Sequence, residues 1–237
     1  LNVELEPVES ALYYFSDKER KATGKISEHE VKQRLDLQGD LLAKRLSDNI
    51  LVIDFLDLKT DRSELKDIYF MKALEFLFEE KGINFGNPWQ HKIQYKQDYV
   101  ELDTLFNKNS GFEVVYRFSI SEDYDPEKMK LMKAVVERPE LWSIMMNGEK
   151  VTPIDDEFWI EREFPVYNIG NYVQTGENSL IIKAERMSVY AEIMPVYILG
   201  DFSLQSENNR FIIENPGNIG VGSWIDFGMP FYSQKTG

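Results

Sequence analysis

Carboxylates are the most abundant groups in this sequence that could act as proton donors and acceptors, with 41 Asp and Glu residues. A general acid and a carboxylate base or nucleophile must lie in one cleft to work together. With this many acids, spacing alone does not select such a pair. The two histidines, His29 and His91, lie in polar stretches away from any Gly-x-Ser-x-Gly motif, and there is no Cys. The sequence therefore predicts neither thiol chemistry nor an activated serine.

Two short acidic clusters could bind a hard cation. Asp155, Asp156 and Glu157 are consecutive, and Glu122–Asp125 holds three acids within four residues. Carboxylate oxygens are the ligands that Ca²⁺ prefers, although neither cluster has the EF-hand spacing. No His-x-x-x-His or Cys cluster offers a transition-metal site. A structural Ca²⁺ at Asp155, Asp156 and Glu157 is one interpretation, and a solvated acidic loop is the other.

Composition narrows the class of protein. The chain of 237 residues is 43% hydrophobic and 13% aromatic, which is enough to bury a core and typical of strands. Its length fits one large β-sandwich or two small domains. A net charge of −14 disfavours nucleic acid and anionic membranes as partners, since both would repel it. No apolar run is long enough to span a bilayer.

The apolar pattern predicts strands over most of the chain. Phe112–Ile120 alternates strictly, Ile50–Leu58 reads as one strand, and Met129–Glu137, Tyr190–Leu204 and Trp224–Phe227 are further candidates. About nine strands at turn-punctuated spacing indicate an antiparallel sandwich or jelly roll.

One stretch has helical spacing instead. Ser63–Lys81 repeats apolar residues at i, i+3 and i+4, with Asp61 or Ser63 as the predicted cap and Lys81-Gly82 as the stop. Residues 46–237 are predicted to form the sandwich, including the helix at 63–81. Residues 1–45 are predicted to be strands and a linker, or the end of a preceding domain, and the start at Leu1 suggests a piece of a longer protein.

The rest of the chain is organised around the stretch from Pro139 to Glu185. Asn147-Gly148 follows an apolar run and fits a type I′ hairpin, in which both central residues have positive φ. Gly176-Glu177-Asn178 then leads into a strand in which alternate apolar residues, ending at Ala184, share one face. Between these two motifs, Phe158–Phe164 reads as an aromatic strand.

This order of motifs resembles the sugar-binding, galactose-binding-like jelly roll of family 2 glycoside hydrolases, whose pattern is roughly "vNG…v…GeNtLtl". Asn87-Pro88-Trp89 and the strands Phe112–Phe118 and Ser188–Phe202 resemble accessory regions of large bacterial α-L-rhamnosidase-like glycosidases. The resemblance covers roughly residues 45 to 232.

The resemblance implies an all-β antiparallel jelly-roll sandwich with one accessory α-helix. Such enzymes keep their catalytic acids on a (β/α)₈ barrel, which needs about 250 residues and eight helices and does not fit this sequence. The chain is thus expected to be a non-catalytic accessory domain of a bacterial glycoside hydrolase, in the periplasm or outside the cell. Its expected partners are the catalytic and neighbouring domains of the parent enzyme, with an oligo- or polysaccharide as a further candidate. The family also implies a possible structural Ca²⁺ and no required cofactor.

Carbohydrate binding is the functional hypothesis that follows for the chain itself. Aromatic rings stack on the apolar face of a sugar while Asn and Asp side chains bind its hydroxyls. The candidates are Trp159, Tyr167, Asn171, Tyr172, Trp224 and Asp226. The competing interpretation places these aromatic residues in the core or in an interdomain contact. An autonomous carbohydrate-binding module and a small standalone glycosidase are the alternative functions.

Overall fold

The computed structural model describes residues 43–83, 101, 103–104, 106–207, 210–220 and 222–232. The strands predicted before residue 43, together with His29 and His91, lie outside the described residues. All of the described residues belong to one unit, Leu41–Gly237. The division of the chain near residue 45 stays a prediction.

Thirteen strands carry most of the regular structure in the described part of the chain. In chain order they are β1 (Asn49–Ile53), β2 (Phe55–Lys59), β3 (Glu64–Tyr69), β4 (Phe112–Ile120), β5 (Lys133–Val135), β6 (Ser143–Met146), β7 (Glu149–Val151), β8 (Pro153–Phe158), β9 (Pro165–Asn168), β10 (Gly176–Ala184), β11 (Val196–Gly200), β12 (Ser203–Glu207) and β13 (Arg210–Glu214). The helix α1 spans Phe70–Glu80, and single helical turns lie at Pro126–Met129, Pro139–Leu141 and Trp224–Phe227.

The strands form two sheets that share one hydrophobic core. The smaller sheet has the order β1-β11-β5-β9-β8. The larger sheet has the order β12-β13-β4-β10-β6-β7, with β2 paired to β4 and β3 paired to β2. The strand pairs are antiparallel except β13–β4, which is parallel. This is the all-β sandwich that the alternating pattern predicted, whereas its winding as a jelly roll stays a prediction.

The centre of the larger sheet is the antiparallel pair β4–β10, which stays in register over nine residues of each strand. Even-numbered side chains of both strands are buried, which confirms the predicted strand at Phe112–Ile120 and the predicted buried face ending at Ala184. Because strand side chains alternate between faces, the odd-numbered residues, including Arg117 and Glu177, lie on the outer face of the sheet.

The single strand predicted over Ile50–Leu58 is wrong, because this segment contains two strands in different sheets. β1 directs its odd-numbered Leu51 and Ile53 into the main core, whereas β2 directs its even-numbered Leu56 and Leu58 there. An uninterrupted strand keeps its buried side chains in one phase. The change of phase marks the place where the chain crosses from the smaller sheet to the larger one.

The helix predicted over Ser63–Lys81 is wrong in its first half, where β3 pairs with β2. Leu56 pairs with Ile68 and Leu58 pairs with Leu65, so two steps along β2 match three steps along β3. This is a β-bulge, which adds one residue to β3. Because of the bulge, Leu65 and Ile68 both pack against the main core although they are three residues apart. A spacing of three residues between apolar side chains is also typical of a helix.

The helix α1 begins after Tyr69, whose side chain makes no capping hydrogen bond, so the predicted cap at Asp61 or Ser63 is wrong. Its end is confirmed, because Lys81 is the C-cap and Gly82 follows with φ +87°. The buried face packs into the main core through Ala73, Leu74, Leu77 and Phe78. No helix in the described ranges is long and apolar enough to cross a membrane.

Three other predicted strands are shortened or replaced. The strand over Met129–Glu137 is limited to the three residues of β5, and the aromatic strand over Phe158–Phe164 ends where β8 ends, at its first residue. Trp224–Phe227 is a single 3₁₀ turn, because the Ser223 hydroxyl caps its start and Gly228, with φ +70°, ends it. Local side-chain capping therefore overrides the apolar alternation in that segment.

Candidate functional site

One cleft of the described structure lies where two strands separate from the same edge of β4. Along this edge β2 pairs as far as Val115, and β13 pairs from Ser119 onward. Among the described strands, the residues between them pair only with β10 on the other side, and they are Tyr116, Arg117 and Phe118. Because β2 and β13 both turn away here, the sheet opens between them.

The cleft has a volume of about 390 Å³ and reaches from the outer surface to the core. Its floor is apolar and includes Leu51, Ile53 and Phe118, which face the space between the two sheets. Phe211 and Phe231 line it as well, packed edge to face with ring centroids 5.4 Å apart. A partly open, mostly apolar cleft of this size is typical of a small-molecule site.

Three charged side chains run across the outer face of β2, β4 and β10. Arg117 on β4 lies opposite Ser179 on β10, so Glu177 is its diagonal neighbour on one side and Asp57 on the other. The Arg117 Nη1 atom is 2.5 Å from Asp57 Oδ2, and its Nε is 3.9 Å from Glu177 Oε1. The strand register therefore assembles an arginine between two carboxylates at the edge of the cleft.

Asp57 is held in its ionised form. Partial burial opposes the ionisation of Asp57. The Asp67 backbone N–H donates to Oδ1 at 2.9 Å, and Arg117 adds a positive charge. Together these two contacts outweigh burial and lower the pKa of Asp57. Lys66 adds a further hydrogen bond to Oδ2 at 3.3 Å. A general acid needs the opposite shift, toward a raised pKa.

An ion pair bridges the mouth of the cleft. Arg210 on β13 contacts Asp67 on β3 with Nη2 and Oδ1 2.7 Å apart, and both side chains are more than half exposed. Asp67 occupies the bulge of β3 with φ +51°. Exposed ion pairs contribute little stability, about 0–1 kcal/mol, so this bridge can open at low cost.

A series of three aromatic rings begins at the cleft. Phe55, which lines the cleft and is half exposed, lies 5.6 Å from Tyr69 between ring centroids, and Tyr69 lies 4.7 Å from Phe70. Tyr69 is also partly exposed. These rings give the cleft an accessible aromatic edge.

A second cavity, of about 420 Å³, lies beside the loop Pro216–Ile219. Asp201 lines it and is paired both with Arg45 and with Lys128, whose Nζ is 2.7 Å from Oδ2. Burial raises the pKa of Asp48, which also lines this cavity. The cavity thus contains one carboxyl group whose pKa is raised by burial and one that is paired with two cations, but the described residues that line it include no aromatic ring.

The two motifs that carry the sequence resemblance meet in the structure. Asn147 and Gly148 form the hairpin turn between β6 and β7 with φ of +50° and +87°, which confirms the predicted hairpin. The Asn147 side chain donates to Asn178 Oδ1 at 2.8 Å and to the Tyr172 carbonyl at 2.9 Å, and it accepts from the Ser179 N–H at 2.9 Å. Both asparagines are therefore used within the protein to join the hairpin to the turn before β10.

No protein-family model and no curated protein matches the sequence. Among solved structures, the chain is similar to the β-glucuronidase of Ruminococcus gnavus, with 10% identity and a TM-score of 0.39 over 69% of this chain and 32% of that one. It is similar to the β-D-mannosidase of Dictyoglomus thermophilum, with 12% identity and a TM-score of 0.34 over 67% of this chain and 24% of that one. It is also similar to a β-glucuronidase of an uncultured Clostridium species, with 15% identity and a TM-score of 0.31 over 71% of this chain and 33% of that one. The chain spans about a third or less of the length of each of these enzymes.

Two of the predicted carbohydrate-binding residues pack against other side chains of the protein. Trp159 lies against Tyr197 with ring centroids 5.0 Å apart, on the outer side of the smaller sheet. Tyr167 is buried in the main core on β9, where burial raises its pKa and its hydroxyl has no hydrogen-bond partner among the described residues. Neither residue lines the cleft or the second cavity.

The other four predicted residues lie in two separate loops. Asn171 and Tyr172 are exposed in the turn after β9. Trp224 packs edge to face on Tyr232 with centroids 5.6 Å apart, and Asp226 is exposed on the same 3₁₀ turn. The six residues do not form one pocket in the structure, and their role in carbohydrate binding stays a prediction.

The predicted cation ligands lie on the edge strand β8. Asp155 and Asp156 are exposed, while Glu157 pairs with Lys133 at 2.5 Å. Within the described ranges, no three Asp, Glu or His side chains gather closely enough to hold a metal ion. In this conformation the three carboxylates are separate, and a structural Ca²⁺ there stays a prediction.

The sequence contained part of the signal for the cleft. The alternation placed Arg117 on the polar face of its strand and carboxylates on the polar side of Ile50–Leu58. What no pattern indicated was that Asp57 and Arg117 lie on neighbouring strands. That contact depends on the pairing of β2 with β4, two strands separated by more than fifty residues.

Proposed function

We propose that this chain is a non-catalytic accessory β-sandwich domain of a bacterial glycoside hydrolase. In this proposal it packs against a catalytic domain outside the chain, in the periplasm or outside the cell. Its partners are then the catalytic and neighbouring domains of the parent enzyme.

The observation that carries this proposal is the contact between the two motifs of the resemblance. Asn147 in the Asn-Gly turn and Asn178 in the Gly-Glu-Asn turn bind each other directly at 2.8 Å. Their order and spacing thus have a structural reason, which is to hold the hairpin β6–β7 on the strand β10. The motifs serve the scaffold, as an accessory sandwich domain requires.

The state of the cleft carboxylates supports the non-catalytic part of the proposal. Hydrolysis of a glycoside needs a carboxylic acid with a raised pKa beside an ionised carboxylate. Although partial burial acts to raise it, the pKa of Asp57 is lowered, because the Asp67 N–H and Arg117 stabilise its charge. The second cavity does place Asp48 and Asp201 together, but the described residues around it offer no ring on which a sugar could stack.

A hydrolysis assay tests the absence of catalysis. The purified chain is incubated with the 4-nitrophenyl derivatives of β-glucuronic acid, β-mannose and α-L-rhamnose, and release of nitrophenol is followed. We expect no release above buffer. Release that disappears in Asp48→Asn or Glu177→Gln, but persists in the exposed control Glu149→Gln, contradicts the proposal.

The genomic context tests the accessory role. The coding sequence on both sides of the segment for this chain is read in the same frame. A neighbouring segment with eight alternating strands and helices supports the proposal, because that is the pattern of a (β/α)₈ barrel. A reading frame that contains this sandwich and no such segment contradicts it.

A further inference from the structure

We infer that the cleft between β2, β4 and β13 binds a neutral or amine-bearing sugar and rejects uronic acids. The inference does not depend on the proposed function, because a binding cleft can exist in a free-standing domain as well as in an enzyme.

The apolar part of the cleft suits the ring of a sugar. Phe55 leaves half of its surface exposed at the cleft, although it packs against Tyr69 on one side. Phe211 and Phe231 line the interior. An exposed aromatic ring next to polar groups is the arrangement that accepts the apolar C–H face of a sugar while its hydroxyls stay hydrogen-bonded.

The two guanidinium groups that line the cleft are each paired with a carboxylate, whereas Glu177 remains available as an acceptor. Arg117 is already paired with Asp57 at 2.5 Å, and Arg210 with Asp67 at 2.7 Å. The contact between Glu177 Oε1 and Arg117 Nε is long, at 3.9 Å, and the Glu177 side chain is 72% exposed. Ionised carboxylates accept hydrogen bonds and donate none. A ligand that uses Glu177 must therefore bring donors, which hydroxyl and ammonium groups supply and a carboxylate does not.

The net charge of the cleft disfavours an anionic ligand. Five carboxylates line it against two guanidinium groups, and the Lys66 ammonium lies 3.3 Å from Asp57, which leaves an excess of two negative charges. A focused negative potential repels anions and attracts cations. A uronate would add a further negative charge without displacing either ion pair, whereas an amino sugar would gain from the same field.

Matched probes test the inference by titration of the chain with NMR detection. Methyl β-D-glucoside and methyl β-D-glucuronide differ only in the group on C5, which is CH₂OH in one and a carboxylate in the other. Glucosamine adds an ammonium group to glucose. We expect saturable binding of the glucoside, binding of glucosamine at least as tight as that of glucose, and at least about tenfold weaker binding of the glucuronide at low salt.

Variants identify the site. Phe55→Ala is expected to weaken glucoside binding at least about fivefold, since it removes the stacking ring. Glu177→Gln keeps the shape of the side chain and is expected to reduce the preference for glucoside over glucuronide. Phe158→Ala and Glu149→Gln, exposed residues elsewhere, serve as controls and are expected to bind as the unmodified chain does.

Three outcomes overturn the inference. The first is that none of these sugars binds saturably, and the second is that glucoside and glucuronide bind equally well. The third is that Trp159→Ala or Trp224→Ala loses sugar binding while Phe55→Ala keeps it. The last outcome would instead support the residues predicted from the sequence. Circular dichroism of each variant shows whether the fold is intact. The hydrolysis assay is read separately, so binding without turnover supports both proposals and turnover contradicts only the proposed function.

Discussion

Asn147 and Asn178, 31 residues apart in the sequence, share a hydrogen bond of 2.8 Å between Nδ2 and Oδ1. Asn178 Oδ1 also accepts from the Gln174 N–H, and its Nδ2 donates to the carbonyls of Gln174 and Gly176. An asparagine side chain has two donors and two acceptor positions, and all four are used here. With its side chain buried, Asn178 acts as a fixed connection between a hairpin and a turn.

Replacing Asn178 should therefore destabilise the domain. We expect Asn178→Ala to lower the free energy of unfolding by about 2–3 kcal/mol, because it leaves several buried backbone and side-chain groups without partners. Urea denaturation measures the change. Asn171→Ala, an exposed asparagine of the neighbouring turn, is the control and should stay within about 0.5 kcal/mol of the unmodified chain. An Asn178→Ala variant as stable as this control would contradict the structural role.

Gly170 should not tolerate a side chain. A Cβ atom at this position would lie 2.1 Å from the backbone oxygen of Lys130, which is too short for any real contact. We expect Gly170→Ala to destabilise the domain by about 3 kcal/mol or more, since the clash involves backbone on both sides. Gly217, where a Cβ would meet no described residue within 4 Å, provides the control. Thermal denaturation of the two alanine variants should separate them clearly, and equal melting temperatures would refute the predicted close approach.

The pair Asp57–Arg117 should make stability depend on pH. A carboxylate whose pKa is lowered by folding stabilises the protein above its unfolded pKa, near 3.8, and that contribution is lost as the pH falls through the lower folded value. Arg117→Met should cost about 1–2 kcal/mol at pH 7, and the difference from the unmodified chain should shrink below about pH 4.

Urea midpoints between pH 7 and pH 3 measure this difference. Arg62→Met, which removes an exposed arginine 3.6 Å from Asp61, is the matched control and should have little effect at any pH. A constant difference between Arg117→Met and the unmodified chain over the whole range would argue against the assigned charge pair.

Trp159 should contribute to stability and not to sugar binding. Its ring packs on Tyr197 and on the apolar outer side of the smaller sheet, so Trp159→Ala should cost about 1–3 kcal/mol. Phe158→Ala, at a neighbouring position that is half exposed, should change stability by less than about 0.5 kcal/mol. Comparing the two variants by urea denaturation and by sugar titration distinguishes packing from recognition. A Trp159→Ala variant with full stability and no sugar binding would support the recognition role predicted from the sequence.

The sequence could predict the parts of the fold that depend on local chemistry. The strict alternation of Phe112–Ile120 determines a strand with one buried face, because successive side chains of a strand point to opposite sides. Asn147-Gly148 determines a tight hairpin, since both residues accept positive φ. Composition and alternation together were enough to predict the all-β class.

Other features were decided only by contacts between distant segments. The bulge of β3 exists because of its pairing with β2, and this made Leu65 and Ile68 resemble a helix in the sequence. Whether an aromatic residue packs or remains exposed depends on what covers it, so Trp159 and Tyr167 could not be distinguished from Phe55 by residue type.

The cleft itself has no local signal in the sequence, because it arises where β2 and β13 leave the same edge of β4. The sequence by itself determined which side chains share a face of each strand, and the tertiary structure determined which faces became neighbours, because strand pairing joins residues that are far apart in the chain.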